Sequence, residues 1–181
     1  MPDSGGIVTG PTDPVACAPF VSGFAGDDQC ILPPASPGFQ LHFGPPSYGD
    51  PAVLAPFVAP QGEEQDRCVF LHTPNTAPVD AKEIHFRNRP GFFTGNVSFL
   101  AKDRADSIAP EACGTDTGLP WLTFLRANED STLGGDAPEN RNLAWHVPAH
   151  AAVAFRLHSV NTTDAPLLEE AWLNVIPAAG G

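Results

Sequence analysis

Prolines and glycines break this chain so often that few uninterrupted windows could hold a three-turn helix. There are 21 prolines and 17 glycines among 181 residues, and the pieces between them are short and rich in Val, Phe and Leu. Such pieces suit strands, and the architecture they fit is an all-β sandwich with long loops. At this length one core, or one domain with a tail, is expected.

The clearest strand is Ala151–Val160, where Val153, Phe155 and Leu157 fall on one face and Ala154, Arg156 and His158 on the other. Phe39–Phe43 alternates likewise, placing Phe39, Leu41 and Phe43 inward and Gln40 and His42 outward. Further strand-like runs are Arg67–His72, Glu83–Arg87, Phe92–Ala101, Leu119–Arg126 and Leu167–Ile176. Turn-rich stretches separate them at Gly44–Pro60, Thr73–Asp80, Lys102–Thr117 and Ala127–Asn142. Gly44–Pro60 carries hydrophobic residues throughout and reads as a packed edge segment. Residues 1–37, rich in Gly, Pro, Asp and Ser, read as an irregular N-terminal arm lying on a domain formed by residues 38–181.

Nine basic against 21 acidic residues give a formal charge of -12 and a pI near 4.6. That balance repels phosphate backbones and anionic lipid, so no nucleic-acid partner is expected. No apolar run reaches the roughly 18 residues of a membrane span, so no membrane insertion is expected either. The cysteines, Cys17, Cys30, Cys68 and Cys113, form no C-x-x-C pair, which argues against structural zinc. Their even number and wide spacing suit two disulfides in an exported protein. Cys17–Cys30 and Cys68–Cys113 are the natural pairs, although the sequence alone permits other connectivities. The expected location is secreted, periplasmic or cell surface. No signal-like segment follows Met1, so an exported form would already have lost its leader. Only two lysines, Lys82 and Lys102, amid abundant alanine and proline give the chain a bacterial look. Asn96-Val-Ser98 and Asn161-Thr-Thr163 fit the glycosylation pattern, which matters only in a eukaryotic secretory pathway.

Several phrases carry a family resemblance by their order along the chain. They are Gly38–Pro45 (GFQLHFGP), Glu63–Cys68 (EEQDRC) opening a strand, and Ile84–Gly91 (IHFRNRPG). Trp145-x-x-Pro148 then leads to Ala154–Asn161 (AFRLHSVN). Together, over residues 38–176, they resemble the copper type II, ascorbate-dependent monooxygenases, the family of peptidylglycine α-hydroxylating monooxygenase, in a bacterial-type single-domain form. The resemblance implies an eight-stranded antiparallel jelly roll. It also implies one copper held by three histidines, two of them adjacent and shortly after a Pro-Gly, the third on a later strand. Carried over, the Pro-Gly is Pro90-Gly91 and the third ligand is His158. The adjacent pair falls at Phe93 and Thr94, which offer copper no imidazole. The family's second copper domain uses two histidines and a methionine; here Met1 is the only methionine and no second domain is expected. The copper site thus reads as degenerate.

Six histidines remain for chemistry: His42, His72, His85, His146, His150 and His158. Alternation sets His42 beside Gln40, His85 between Glu83 and Arg87, and His158 beside Arg156, all on polar faces, so solvated surface histidines are the plain expectation. The sharper reading gathers His158 with some of His42, His72 and His85 into a displaced metal site. His146 and His150 are four apart, which helps only on a helix, and Pro148 lies between them. No serine sits in an elbow-like Gly-x-Ser-x-Gly context. Glu169 and Glu170 are adjacent and should face opposite ways, so they do not read as a working carboxylate pair. The loop Asn128–Asp136 reads as a solvated acidic loop rather than a calcium loop, since it lacks EF-hand spacing. Phe93, and Trp172 on the polar face with Glu170, mark a candidate apolar patch for a protein or small-molecule ligand.

The leading expectation is therefore a non-catalytic binding or structural module without a cofactor. The rival is a copper-binding protein or monooxygenase with a rearranged histidine site.

Overall fold

The structure, a computed structural model, describes residues 22–27, 34–89, 92–107, 109–114, 117–124, 130–134 and 144–178. About half of the described residues lie in antiparallel strands. These are β1 (Phe39–Phe43), β2 (Val58–Ala59), β3 (Glu64–His72), β4 (Val79–Asn88), β5 (Phe92–Leu100) and β6 (Glu111–Ala112). They continue with β7 (Thr117–Phe124), β8 (Asp130–Gly134), β9 (Trp145–Val147), β10 (Ala152–Val160), β11 (Leu167–Leu168) and β12 (Ala171–Pro177).

One five-stranded sheet runs β1-β12-β4-β8, with β9 pairing the start of β4 beside residues 79–81. The other runs β6-β3-β10-β5-β7, and β2 pairs with β11 in a small third ladder. The alternation of β1 and β10 supplies the reason these sheets face each other. Phe39, Leu41 and Phe43 meet Ile84 and Phe86 of β4 and Leu173 and Val175 of β12 in one core, together with Val69, Leu71, Val97, Val153, Phe155 and Leu157 of the second sheet. Phe43 ties the two layers, its ring edge-on to Phe155 at 5.9 Å and to Phe57 at 6.2 Å. Burial of each such side chain contributes about 1.5–3 kcal/mol relative to exposure. The all-β sandwich is therefore the observed fold.

The segment 44–60 packs, as its hydrophobic residues required, but it holds a turn of helix, α1 (Pro51–Leu54). Asp50 caps it, accepting from Ala52 N at 2.8 Å, and Pro51 occupies the first turn, where its missing N–H costs nothing. Leu54 and Phe57 enter the core from here. Several strand bounds extend past the sequence expectation: β3 starts at Glu64 and β4 spans ten residues. β8 lies inside the stretch read as a solvated acidic loop, which corrects that reading for Asp130–Gly134. Its partner β4 is more than forty residues away, roughly the separation at which local pattern says nothing.

Cys68 and Cys113 form the expected disulfide, whereas Cys17 and Cys30 lie outside the described residues. Of the arm, only the turn at 22–27 and residues 34–37 are described. Among the described residues, no helix is long and apolar enough to cross a membrane.

Candidate functional site

Alternation sends His158 to the outer side of the second sheet, because Leu157 faces the core. Across the β10–β5 ladder His158 stands directly opposite Thr94, and Ser159 opposite Phe93. Phe93 and Thr94, the positions that the resemblance pairs with copper ligands, are thus neighbours of His158 across the ladder. On the other side His158 faces Asp66 of β3. Its Nε2 lies 2.7 Å from Glu64 Oε1, and Arg156 beside it forms a bidentate pair with Asp66. Asp66 raises the Arg156 guanidinium above its ordinary pKa. The side chains of Phe92 and Phe93, together with Pro90-Gly91, lie outside the described residues, and so does the proposed patch at Phe93. One imidazole tied to a carboxylate, a threonine and an Arg–Asp pair do not fit a three-imidazole copper site.

The other candidates are held elsewhere. His42 and His85 point to the outer side of the first sheet, because Leu41, Phe43, Ile84 and Phe86 face the core. His85 lies opposite Asn174 and Thr132 in the ladder. His72 ends β3, with its Nδ1 2.7 Å from Asp106 and its Nε2 2.7 Å from Asp103. Those carboxylates, Asp103 first, raise its pKa above the ordinary histidine value. His42 and His72 both border a crevice of about 10 Å³, room for roughly one water molecule. His150, in a turn rather than a helix, stacks on His72 at 4.5 Å, and His146 Nδ1 lies 2.8 Å from Asp80. Among the described residues no three His, Cys, Asp or Glu side chains are grouped to hold a metal ion.

Two expectations need correction. Gln40 and His42 face away from the core as expected, yet they are not solvated: they are 4% and 5% exposed. Gln40 donates to Asn174 Oδ1 at 2.9 Å, while His42 stacks on Trp172 at 5.5 Å and sets its Nε2 2.8 Å from Glu170 Oε1. Trp172 does share a face with Glu170, but at 3% exposure it contributes nothing to an exposed aromatic patch.

The feature that sequence reasoning missed is a pair of buried ionic clusters at Glu169 and Glu170, both 0% exposed. These residues fall between β11 and β12. Glu169 receives Arg67 through Nε at 2.8 Å and through Nη2, and also receives the Ser159 hydroxyl. Glu170 receives Arg89 Nε at 2.6 Å and the Tyr48 hydroxyl, and meets His42. Arg89 also donates to Asp27 Oδ1 at 3.0 Å, which fastens the 22–27 turn to the domain. Burial opposes charge on Arg89, but Glu170 and Asp27 together outweigh it and the guanidinium pKa rises. Burial, then the Glu170 carboxylate, drive the Tyr48 phenol far above its ordinary value. A buried carboxylate requires such partners, since an unpaired one costs several kcal/mol, on the order of the whole stability of a domain. The signal available in sequence was two glutamates following a Leu-Leu pair, too apolar a setting for solvated carboxylates.

Comparison of the chain with family models, with curated proteins and with solved structures returns no match.

Proposed function

We propose that this chain is an exported, non-catalytic binding or structural module, built on the jelly-roll scaffold of the copper type II monooxygenases with its copper centre lost. The observation that carries the reading is the contact of His158 with Glu64, directly opposite Thr94. The third-ligand position retains its imidazole, but its neighbours are a hydroxyl and carboxylates rather than two further rings. The order of the long strands, β1-β12-β4-β8 facing β3-β10-β5-β7, supports the jelly roll. The Cys68–Cys113 bridge supports an oxidising compartment. The ion pairs of Glu169 with Arg67 and of Glu170 with Arg89 support a structural role for the link between β11 and β12.

Copper titration by calorimetry with paramagnetic resonance tests the reading. The expected result is no stoichiometric type II copper at submicromolar affinity. A tight type II signal abolished in His158→Ala would establish the rival copper site and overturn this one.

A further inference from the structure

Residues 103–107, between β5 and β6, lie along the edge of β3 that β6 leaves uncovered, and three fastenings hold them there. At one end Cys113 is bonded to Cys68, and Glu111 and Ala112 pair with Cys68 and Arg67. In the middle Ser107 N donates to Phe70 O at 2.8 Å, and Phe70 N donates to Ser107 Oγ at 3.1 Å. The guanidinium of Arg104 lies 3.6 Å above the Phe70 ring and pairs with Glu111 at 2.6 Å. At the far end stands His72, with a carboxylate at 2.7 Å from each ring nitrogen.

A neutral imidazole has one N–H and cannot donate to two carboxylates; only the imidazolium satisfies both contacts. We infer that residues 103–107 are a pH-controlled strap, latched over the Phe70 edge of β3 by the His72 imidazolium and released when His72 loses its proton. The disulfide end stays fixed, so the strap peels from the His72 end. Peeling uncovers the Phe70 ring, now 2% exposed, and an N–H and C=O pair on a strand edge.

The groups facing His72 set the direction. Asp103 and Asp106 come from the strap, whose Arg104 is turned to Phe70 and Glu111, and His150 stacks on the ring from the turn before β10. Across the small crevice stand Gln40 and His42, the latter against Glu170. The two aspartates raise the His72 pKa above its ordinary 6.5, and His72 in return holds Asp103 below its ordinary value. A raised folded-state pKa means the latch acts fully below about 6.5 and is lost as pH rises through the higher value.

Amide hydrogen exchange of the full chain, corrected for intrinsic rates and followed by NMR beside the His72 ring resonances, tests the strap. Protection of the Phe70 and Ser107 amides should fall roughly tenfold as His72 titrates, with Val97 unchanged. His72→Gln should show the low-protection state at every pH. Asp106→Asn should stay closed throughout, because its amide can donate to a neutral ring nitrogen while Asp103 accepts from the other. Protection that stays flat while wild-type His72 titrates overturns the inference, as does loss in Asp106→Asn at the wild-type midpoint. Both readouts stand even where His72→Gln fails to fold.

Discussion

Glu169 and Glu170 adjoin in the chain yet serve different ion pairs, Glu169 with Arg67 and Glu170 with Arg89. Neighbours in extended backbone point to opposite sides. Here one side chain therefore reaches toward β3 and β10 and the other toward β1 and the start of the described chain. Two carboxylates thus anchor both layers of the molecule from a single dipeptide.

Removing one of them should be costly. Glu170→Ala leaves Arg89 buried without its main anion, and a loss of about 3–5 kcal/mol is expected. Glu170→Gln keeps an acceptor for Tyr48 and Arg89 and should cost less. Denaturant unfolding of both variants measures this, and a loss below about 1 kcal/mol for the alanine variant would contradict an essential buried pair.

Gly44 should tolerate no side chain. A Cβ there would come within 2.3 Å of His42 Nε2 and 2.8 Å of Glu170 Oε1, on the contact between those two groups. Gly44→Ala should therefore destabilise by about 1–3 kcal/mol through overpacking. Thermal unfolding at neutral pH reads it, and an unchanged midpoint would show that the contact can move aside.

Acid should release the 22–27 turn late. Burial pushes the Asp27 carboxyl up, but the Ser22 hydroxyl, the Gly23 N–H and Arg89 outweigh it and hold its pKa below 3.8. A depressed folded-state pKa contributes stability above about 3.8 that disappears as pH falls through the lower value. Proteolysis by an acid-active protease should cut near this turn only below that point in the wild type. In Asp27→Asn the turn should be cut at every pH in the range, and equal resistance of the two proteins would refute the tether.

The disulfide should matter more than its place at a sheet edge suggests. It closes a loop of sequence separation 45, and replacing both Cys68 and Cys113 by alanine should cost roughly 4 kcal/mol through the freedom returned to the unfolded chain. A urea midpoint shifted by the equivalent of less than about 1 kcal/mol would show that the strap carries the edge of β3 unaided.

Alternation made much of the fold legible. Val153, Phe155 and Leu157 face the core, as do Phe39, Leu41 and Phe43, and the cysteine spacing pointed to Cys68–Cys113. Alternation also placed His42 and Trp172 on the non-core face. It was silent on what lies over that face, and both proved buried against one another. β8 escaped notice because Asp130–Gly134 has no hydrophobic rhythm and becomes a strand by pairing with β4. The candidate metal ligands were named on chemistry, but their neighbours were not readable: His72 meets Asp103 and Asp106, and His158 meets Glu64.

The residues alone determined that this chain would be short antiparallel strands with these apolar faces inward. Proline and glycine spacing and side-chain alternation act within a few residues, so their consequences need no knowledge of the rest of the chain. Which polar group meets which was decided only by the folded arrangement. Arg67 and Glu169 are 102 positions apart, and Arg89 and Glu170 are 81 apart. Strand order brings them together, and once the sheets bury a charge, solvation forces it onto whatever opposite charge that order has put within reach.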